Sequence, residues 1–196
     1  MTETPSTLNP AERHRTIAAR FTEHVAAVTD WDAPTPVSDW RTRDVVDHLI
    51  GWSREFLRAG DLELPVDPSH RDDPEASWIG HSADIQALLD GPGSTASFTH
   101  PYAGTHQLAE AIDRFYTADV FMHTWDLAVS AGRDPGLDAQ FAKELVDGML
   151  GMEDVLRSSG QFGPAVPVAE DADPVTRMVG FIGRDPDWRN LGCIRG

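Results

Sequence analysis

Residues 117–128, TADVFMHTWDLA, constrain the fold most, because a segment composed for burial carries three ionisable side chains. Asp119, His123 and Asp126 follow one another at intervals of four and three, which places them on one face of an α-helix. The same face continues upstream through the apolar Ile112 and Tyr116. A buried carboxylate without a partner is strongly destabilising. The fold must therefore supply this helix with a cation, hydrogen-bond donors or a metal ion.

Helical periodicity extends over most of the chain, and strand signals are minor. Asn9, Pro10 and Glu12 predict the N-cap, first and third positions of a first helix. Thr42 is expected to cap a second helix that stops at Gly60. Further helices are predicted over residues 74–90, 105–130, 138–158 and 174–182, with a loop over 91–104 that contains a short extended piece at Phe98. We expect the fifth helix to bury five apolar residues: Phe141, Leu145, Met149, Met152 and Leu156.

This pattern predicts an all-α fold, an antiparallel helix bundle with additional C-terminal helices and short extended loops, within one domain over residues 1–196. The formal net charge of −16 disfavours nucleic acid and anionic membranes as partners. No run of about 18 apolar residues and no signal-peptide pattern is present, so we expect a cytoplasmic protein. The one cysteine, Cys193, has no helix start or basic cluster beside it and is a poor candidate nucleophile.

The predicted second helix, like the segment at 117–128, carries an ionisable residue on its apolar face. His48 lies on the apolar stripe of Val45, Leu49, Trp52 and Phe56, whereas the charged residues of this helix occupy its opposite face. Asp119 and His123 project together as an i, i+4 pair and could bind one ion, with His48 as a third ligand. Three protein ligands leave a position for water or substrate, as in catalytic zinc sites. Asp126 is expected to orient a histidine from behind rather than to act as a fourth ligand.

Other interpretations of these residues remain open. An inward-facing histidine is commonly a hydrogen-bonded core residue, and an Asp–His pair at i, i+4 is commonly a local ion pair. Asp126 could equally be a hydrogen-bond partner within the bundle. No P-loop, dinucleotide-binding glycine pattern, HExxH or GxSxG motif occurs. No catalytic residue is therefore predicted beyond the metal site.

Three segments resemble the signature blocks of the DinB/YfiT-like metalloproteins: TPVSDWRTRDVVDHLIGW, TADVFMHTWDLAVSAGRDP and DPVTRMVGFIGRDPDW. Within this superfamily, the chain is similar to the branch of the mycothiol-dependent maleylpyruvate isomerase metal-binding domain. The resemblance implies an up-down-down-up four-helix bundle that holds zinc or nickel through His48, Asp119 and His123. In the family as the resemblance implies it, isomerase-like members carry Glu where this chain has Asp119. We expect no equivalent here of the isomerase's extra C-terminal domain, which sets this chain apart from that particular activity.

The resemblance implies a protein that binds a divalent metal and acts on small molecules. Characterised relatives are thiol-dependent transferases and isomerases, in which a metal can activate a low-molecular-weight thiol for attack on a small electrophile. Mycothiol is the thiol that the resemblance implies, and the protein is expected to be a monomer or a homodimer. Two other hypotheses are a non-catalytic metal- or small-ligand-binding module in a stress response, and a bundle that keeps the three residues as a buried polar network.

Overall fold

The structure, a computed structural model, describes residues 4–65, 73–158, 160 and 162–190. A 3-10 turn at Pro5–Thr7 precedes the first helix, and a two-stranded antiparallel hairpin lies in the middle of the chain. The helices are α1 Pro10–Val25, α2 Thr42–Ala59, α3 Pro74–Asp90, α4 Leu108–Ala111, α5 Ala118–Ser130, α6 Ala139–Met149, α7 Glu153–Ser158 and α8 Pro174–Phe181. The strands are β1 Ser97–His100 and β2 Gly104–Gln107. The predicted all-α class is confirmed.

Side-chain hydrogen bonds fix the starts of α1 and α2. Asn9 Oδ1 accepts a 3.0 Å bond from the Glu12 amide, and Glu12 Oε2 accepts a 3.3 Å bond from the Asn9 amide, so the predicted capping box is confirmed. The predicted cap of α2 is wrong by one residue, because Arg41 is the N-cap and Thr42 is the first helical residue. The Thr42 hydroxyl instead donates to the Ala33 carbonyl at 3.1 Å, which ties α2 to the loop before it.

The predicted helix over residues 105–130 is wrong at its start, because β2 occupies 104–107. Phe98, in β1, pairs with His106 in the hairpin, and the Phe98 side chain is buried with its ring 5.3 Å from that of Phe56. This packing favours the hairpin over an earlier helix start. The helix then runs from Leu108 to Ser130 as α4, a π-helical stretch over Ile112–Thr117, and α5.

The predicted helix over residues 138–158 is divided into α6 and α7. Gly151, between them, has a φ of +85°, a conformation that ends an α-helix. Its neighbour Met152 is exposed, so the predicted burial of that residue is wrong. Phe141 is buried as predicted, and Leu145, Met149 and Leu156 are partly buried.

The core lies among four helices: α1 packs against α3 and α5, and α2 packs against the same two helices. Phe21 of α1 contacts Trp78 of α3 with ring centroids 4.3 Å apart, and both side chains are fully buried. Nearly every residue of α5 is buried, as its composition predicted. α8 packs on α6 beside this core. The up-down-down-up order implied by the resemblance stays a prediction. None of the helices in the described residues is both long and apolar enough to span a bilayer.

Candidate metal centre

α2 and α5 bring His48, Asp119 and His123 together. One side-chain ligand atom of each residue lies within 4.8 Å of the corresponding atoms of the other two. His48 Nε2 is 3.2 Å from Asp119 Oδ2, and His123 Nε2 is 3.6 Å from Asp119 Oδ1. The His48 side chain is 32% exposed, that of Asp119 18% and that of His123 7%. The cluster is therefore enclosed by protein on the His123 side and open to solvent on the His48 side.

These distances fit a metal ion. Ligands held about 2.0–2.1 Å from a tetrahedral zinc ion lie about 3.3 Å from one another, close to the two measured separations from Asp119. Two imidazoles and one carboxylate are a donor set that suits zinc or nickel. The residues present therefore fit the metal that the resemblance implies, and their roles as its ligands stay a prediction.

Asp126 fixes the orientation of the His123 ring. Asp126 Oδ2 accepts a 2.8 Å hydrogen bond from His123 Nδ1, which keeps the proton on Nδ1 and leaves the Nε2 lone pair facing Asp119. The Asp126 side chain is fully buried. Its other partner is Arg184, whose Nε donates to Asp126 Oδ1 at 3.0 Å. Asp126 thus lies behind His123, in the place expected of a residue that orients a ligand.

Two tryptophans complete the surroundings of the cluster. The Trp40 ring stacks on His123, with centroids 5.7 Å apart and planes 16° apart, and also lies 4.9 Å from the His48 ring. Trp52, one turn after His48 on α2, donates its indole N–H to Asp119 Oδ2 at 2.8 Å. Both indoles limit how far the imidazoles and the carboxylate can move.

Sequence reasoning missed Trp40, Trp52 and Arg184 as parts of this site. The two tryptophans flank His48 within the first signature block, at spacings of eight and four residues, so a signal for them was available. Arg184 lies in the third block, but nothing local distinguishes it from other arginines. Cys193, the poor nucleophile candidate, lies outside the described residues.

The electrostatics of the cluster favour a positive charge at its centre. Burial acts to raise the pKa of Asp119, but the imidazoles of His123 and His48 and the Trp52 indole outweigh it and hold the pKa below its usual range. Burial likewise acts to lower the pKa of His123, but the carboxylates of Asp119 and Asp126 raise it above its usual value. The two carboxylates therefore stabilise a cation at the site, either a proton on His123 or a metal ion.

The protein is thus a mostly helical one in which α2 and α5 bring two histidines and a carboxylate to one point, an arrangement that fits a metal ion. A family model described as "Mycothiol maleylpyruvate isomerase N-terminal domain" matches residues 14–128. The chain belongs to this family, which confirms the resemblance found in the sequence. The matched residues include His48, Asp119, His123 and Asp126 but stop well before Arg184.

Two relatives in Mycobacterium tuberculosis are similar over most of the chain. Uncharacterized protein MT0763 of strain CDC 1551 and Uncharacterized protein Rv0738 of strain H37Rv are each 27% identical over 158 residues. In each case the similarity covers 77% of this chain and 83% of the relative. No solved structure matches the chain.

Proposed function

We propose that the protein binds one divalent metal ion, zinc or nickel, through His48, Asp119 and His123. We further propose that it uses this ion in a mycothiol-dependent transferase or isomerase reaction on a small electrophile. The observation that carries the proposal is the convergence of three ligand atoms within 4.8 Å, two of them on α5 and one on α2. The family's description, which names mycothiol and an isomerase, supports the choice of thiol and of reaction class.

The chain's own residues would hold the ion and leave one side of it accessible. Three protein ligands leave a coordination position free, and the 32% exposure of His48 indicates that this position faces solvent. A bound divalent ion would lower the pKa of a thiol and stabilise its thiolate form near neutral pH. A small thiol could reach the cluster from the His48 side.

The remaining residues would keep the ligand atoms in place. Asp126 holds His123 in the tautomer whose Nε2 is free to bind, and the Trp52 indole holds Asp119 Oδ2. Trp40 covers the face of the His123 ring and excludes water from it. The chain's one cysteine, Cys193, has no helix start or basic cluster beside it in the sequence, so the proposed nucleophile comes from the thiol cosubstrate.

The proposal is tested by metal analysis of the purified protein followed by a thiol assay. We expect about one equivalent of metal in wild-type protein and a near-complete loss of it in His48→Ala and His123→Ala. His106→Ala is the matched control, because His106 Nε2 bonds to the Ala103 carbonyl in the hairpin, outside the cluster. Two activities should require the metal: mycothiol-dependent isomerisation of maleylpyruvate, in which the thiol is regenerated, and mycothiol consumption with small electrophiles that form a stable conjugate.

Each alternative has its own outcome in this experiment. Stoichiometric metal without turnover of any thiol–electrophile pair would favour a metal- or small-ligand-binding module that is not an enzyme. Near-zero metal content, with no change in melting temperature on addition of zinc, would favour a buried polar network and overturn the proposal. Full activity in metal-free protein would overturn the metal-dependent mechanism.

A further inference from the structure

Arg184 reaches the candidate metal centre through Asp126. Its Nε donates to Asp126 Oδ1 at 3.0 Å and its Nη2 donates to Asp126 Oδ2 at 3.2 Å, a bidentate pairing of guanidinium and carboxylate. Asp126 Oδ2 is also the atom that accepts the hydrogen bond from His123 Nδ1. A continuous chain of hydrogen bonds therefore runs from Arg184 through Asp126 to His123.

Burial makes this pairing important for the position of Asp126. The Asp126 side chain is fully buried, and that of Arg184 is 11% exposed. Loss of a partner from a buried charge pair costs much more than loss of an exposed one, because the remaining charge stays desolvated. Without Arg184, the carboxylate would have to reorient toward another donor or toward solvent. Its hydrogen bond to His123 would change as a result.

The C-terminal segment, residues 162–190, holds Arg184 in this place. The Arg184 amide donates to the Val179 carbonyl at 3.0 Å, and Arg184 Nη1 donates to the Ile182 carbonyl at 3.2 Å. The end of α8 therefore fixes both the backbone and the side chain of Arg184. The preceding Gly183 has a φ of +84° and packs directly against Gly163. All of these residues lie beyond residue 128, where the family model match ends.

We propose that Arg184 is a positioning residue for the metal centre, acting through Asp126 on His123. The C-terminal segment thereby completes a site whose ligands all come from residues 14–128. Loss of a hydrogen-bond partner that orients a metal-binding histidine typically weakens metal affinity by about 10–100-fold. The inference rests on the proposed metal site and adds to it a residue that contacts neither the metal nor the substrate.

The test compares Arg184→Gln and Arg184→Lys with wild type, and uses Arg157→Gln as the matched control. Arg157 also ties the C-terminal segment together, through the carbonyls of Gly163 and Phe181, but does not contact Asp126. Zinc affinity is measured by competition with a chelator. The absorption spectrum of the cobalt(II)-loaded protein reports the coordination geometry independently of activity.

We expect Arg184→Gln to bind zinc about tenfold more weakly than wild type and to show an altered cobalt spectrum. Arg184→Lys retains the charge and one donor group, so its zinc affinity should lie between those of wild type and Arg184→Gln. If Arg184→Gln does not fold, the comparison of Arg184→Lys with wild type tests the inference. Arg157→Gln should keep the wild-type affinity and spectrum even where its melting temperature falls. Wild-type affinity and spectrum in the Arg184 variants, or equal weakening in Arg157→Gln, would overturn this inference alone. Wild-type protein that binds no metal would overturn the proposed function and this inference with it.

Discussion

The indole Nε1 of Trp52 donates a 2.8 Å hydrogen bond to Asp119 Oδ2, the same oxygen that lies 3.2 Å from His48 Nε2. Two α2 side chains one turn apart therefore converge on a single carboxylate oxygen of α5. This arrangement holds the carboxylate in place before any ion binds, which lowers the entropic cost of binding.

We expect Trp52→Phe to weaken zinc binding by about tenfold, because phenylalanine keeps most of the packing but cannot donate to Asp119. Zinc affinity by chelator competition measures the effect. Trp40→Phe is the control, because Trp40 contacts the two imidazole rings and phenylalanine keeps an aromatic ring there. An equal loss in both variants would mean that aromatic packing, rather than the hydrogen bond to Asp119, sets the affinity.

The carboxylate charge of Asp119 gives a second prediction. Asp119→Asn should weaken zinc binding by more than about tenfold, because an amide supplies neither the negative charge nor a comparable ligand oxygen. Asp119→Glu should still bind zinc, since it keeps the carboxylate and supplies the longer side chain that the sequence resemblance implies for isomerase-like members at this position. Metal content and chelator competition on both proteins test this.

Asp113→Asn is the matched control for Asp119→Asn, because it makes the same chemical change in the π-helical stretch before α5. Asp113 forms an ion pair with Arg13, outside the cluster. This variant is expected to lose stability and to keep its zinc affinity. Unchanged zinc affinity in Asp119→Asn would exclude Asp119 as a ligand and leave His48 and His123 as the remaining candidate ligands.

The sequence predicted the three clustered residues because each lies on the apolar face of a strongly periodic helix. Asp119 and His123 are one turn apart, so any helix places them together, and the buried faces of α2 and α5 then bring His48 to them. Periodicity thus predicted the polar residues that enter the core. The position of Asp126 behind His123 follows from the same i, i+3 geometry.

The contributions of Arg184 and the hairpin could not be predicted in this way. Arg184 is 58 residues from Asp126, and its place depends on how α8 packs, which no local pattern encodes. The hairpin depends on the burial of Phe98 against Phe56 on α2, a tertiary contact that overrides the helical pattern expected from residue 105. In both cases the missing information lay in long-range packing.

Gly183 allows a test of how far the C-terminal segment controls the site. A Cβ at this position would lie 2.8 Å from the Cα and carbonyl carbon of Gly163, and the φ of +84° disfavours any residue with a side chain. Gly183→Ala should lower the free energy of unfolding by about 2–4 kcal/mol. It should also weaken zinc binding, because Arg184 is the next residue.

Gly148→Ala is the matched control for Gly183→Ala. Gly148 lies within α6, and a Cβ there would meet nothing within 4 Å. The change should raise the free energy of unfolding by about 0.5–1 kcal/mol and leave zinc affinity unchanged. Urea denaturation and chelator competition on the same samples check both expectations. Wild-type zinc affinity in Gly183→Ala would mean that the end of α8 does not control the metal centre.

His14 should make the free energy of unfolding depend on pH, independently of the metal centre. Its side chain is buried in α1, and Nδ1 donates to Gln86 Oε1 at 2.8 Å. Burial lowers the pKa of His14 below its usual 6.5, despite the opposing effect of the Gln86 hydrogen bond. Well above pH 6.5 the ring is neutral in both the native and the unfolded states, so its contribution to stability is constant.

As the pH falls below 6.5, the unfolded chain binds a proton that the native ring resists, and the free energy of unfolding decreases. The slope for this one group approaches at most about 1.4 kcal/mol per pH unit, and the loss ends once the pH passes the lowered native pKa. Urea denaturation of wild type and His14→Gln between pH 5 and pH 8 measures this contribution. At pH 8 the histidine and the glutamine are both neutral, so the difference in free energy of unfolding between wild type and His14→Gln reports packing and hydrogen bonding without any contribution from charge. On acidification that difference should shift in favour of His14→Gln, and a constant difference would mean that the native pKa of His14 is not lowered.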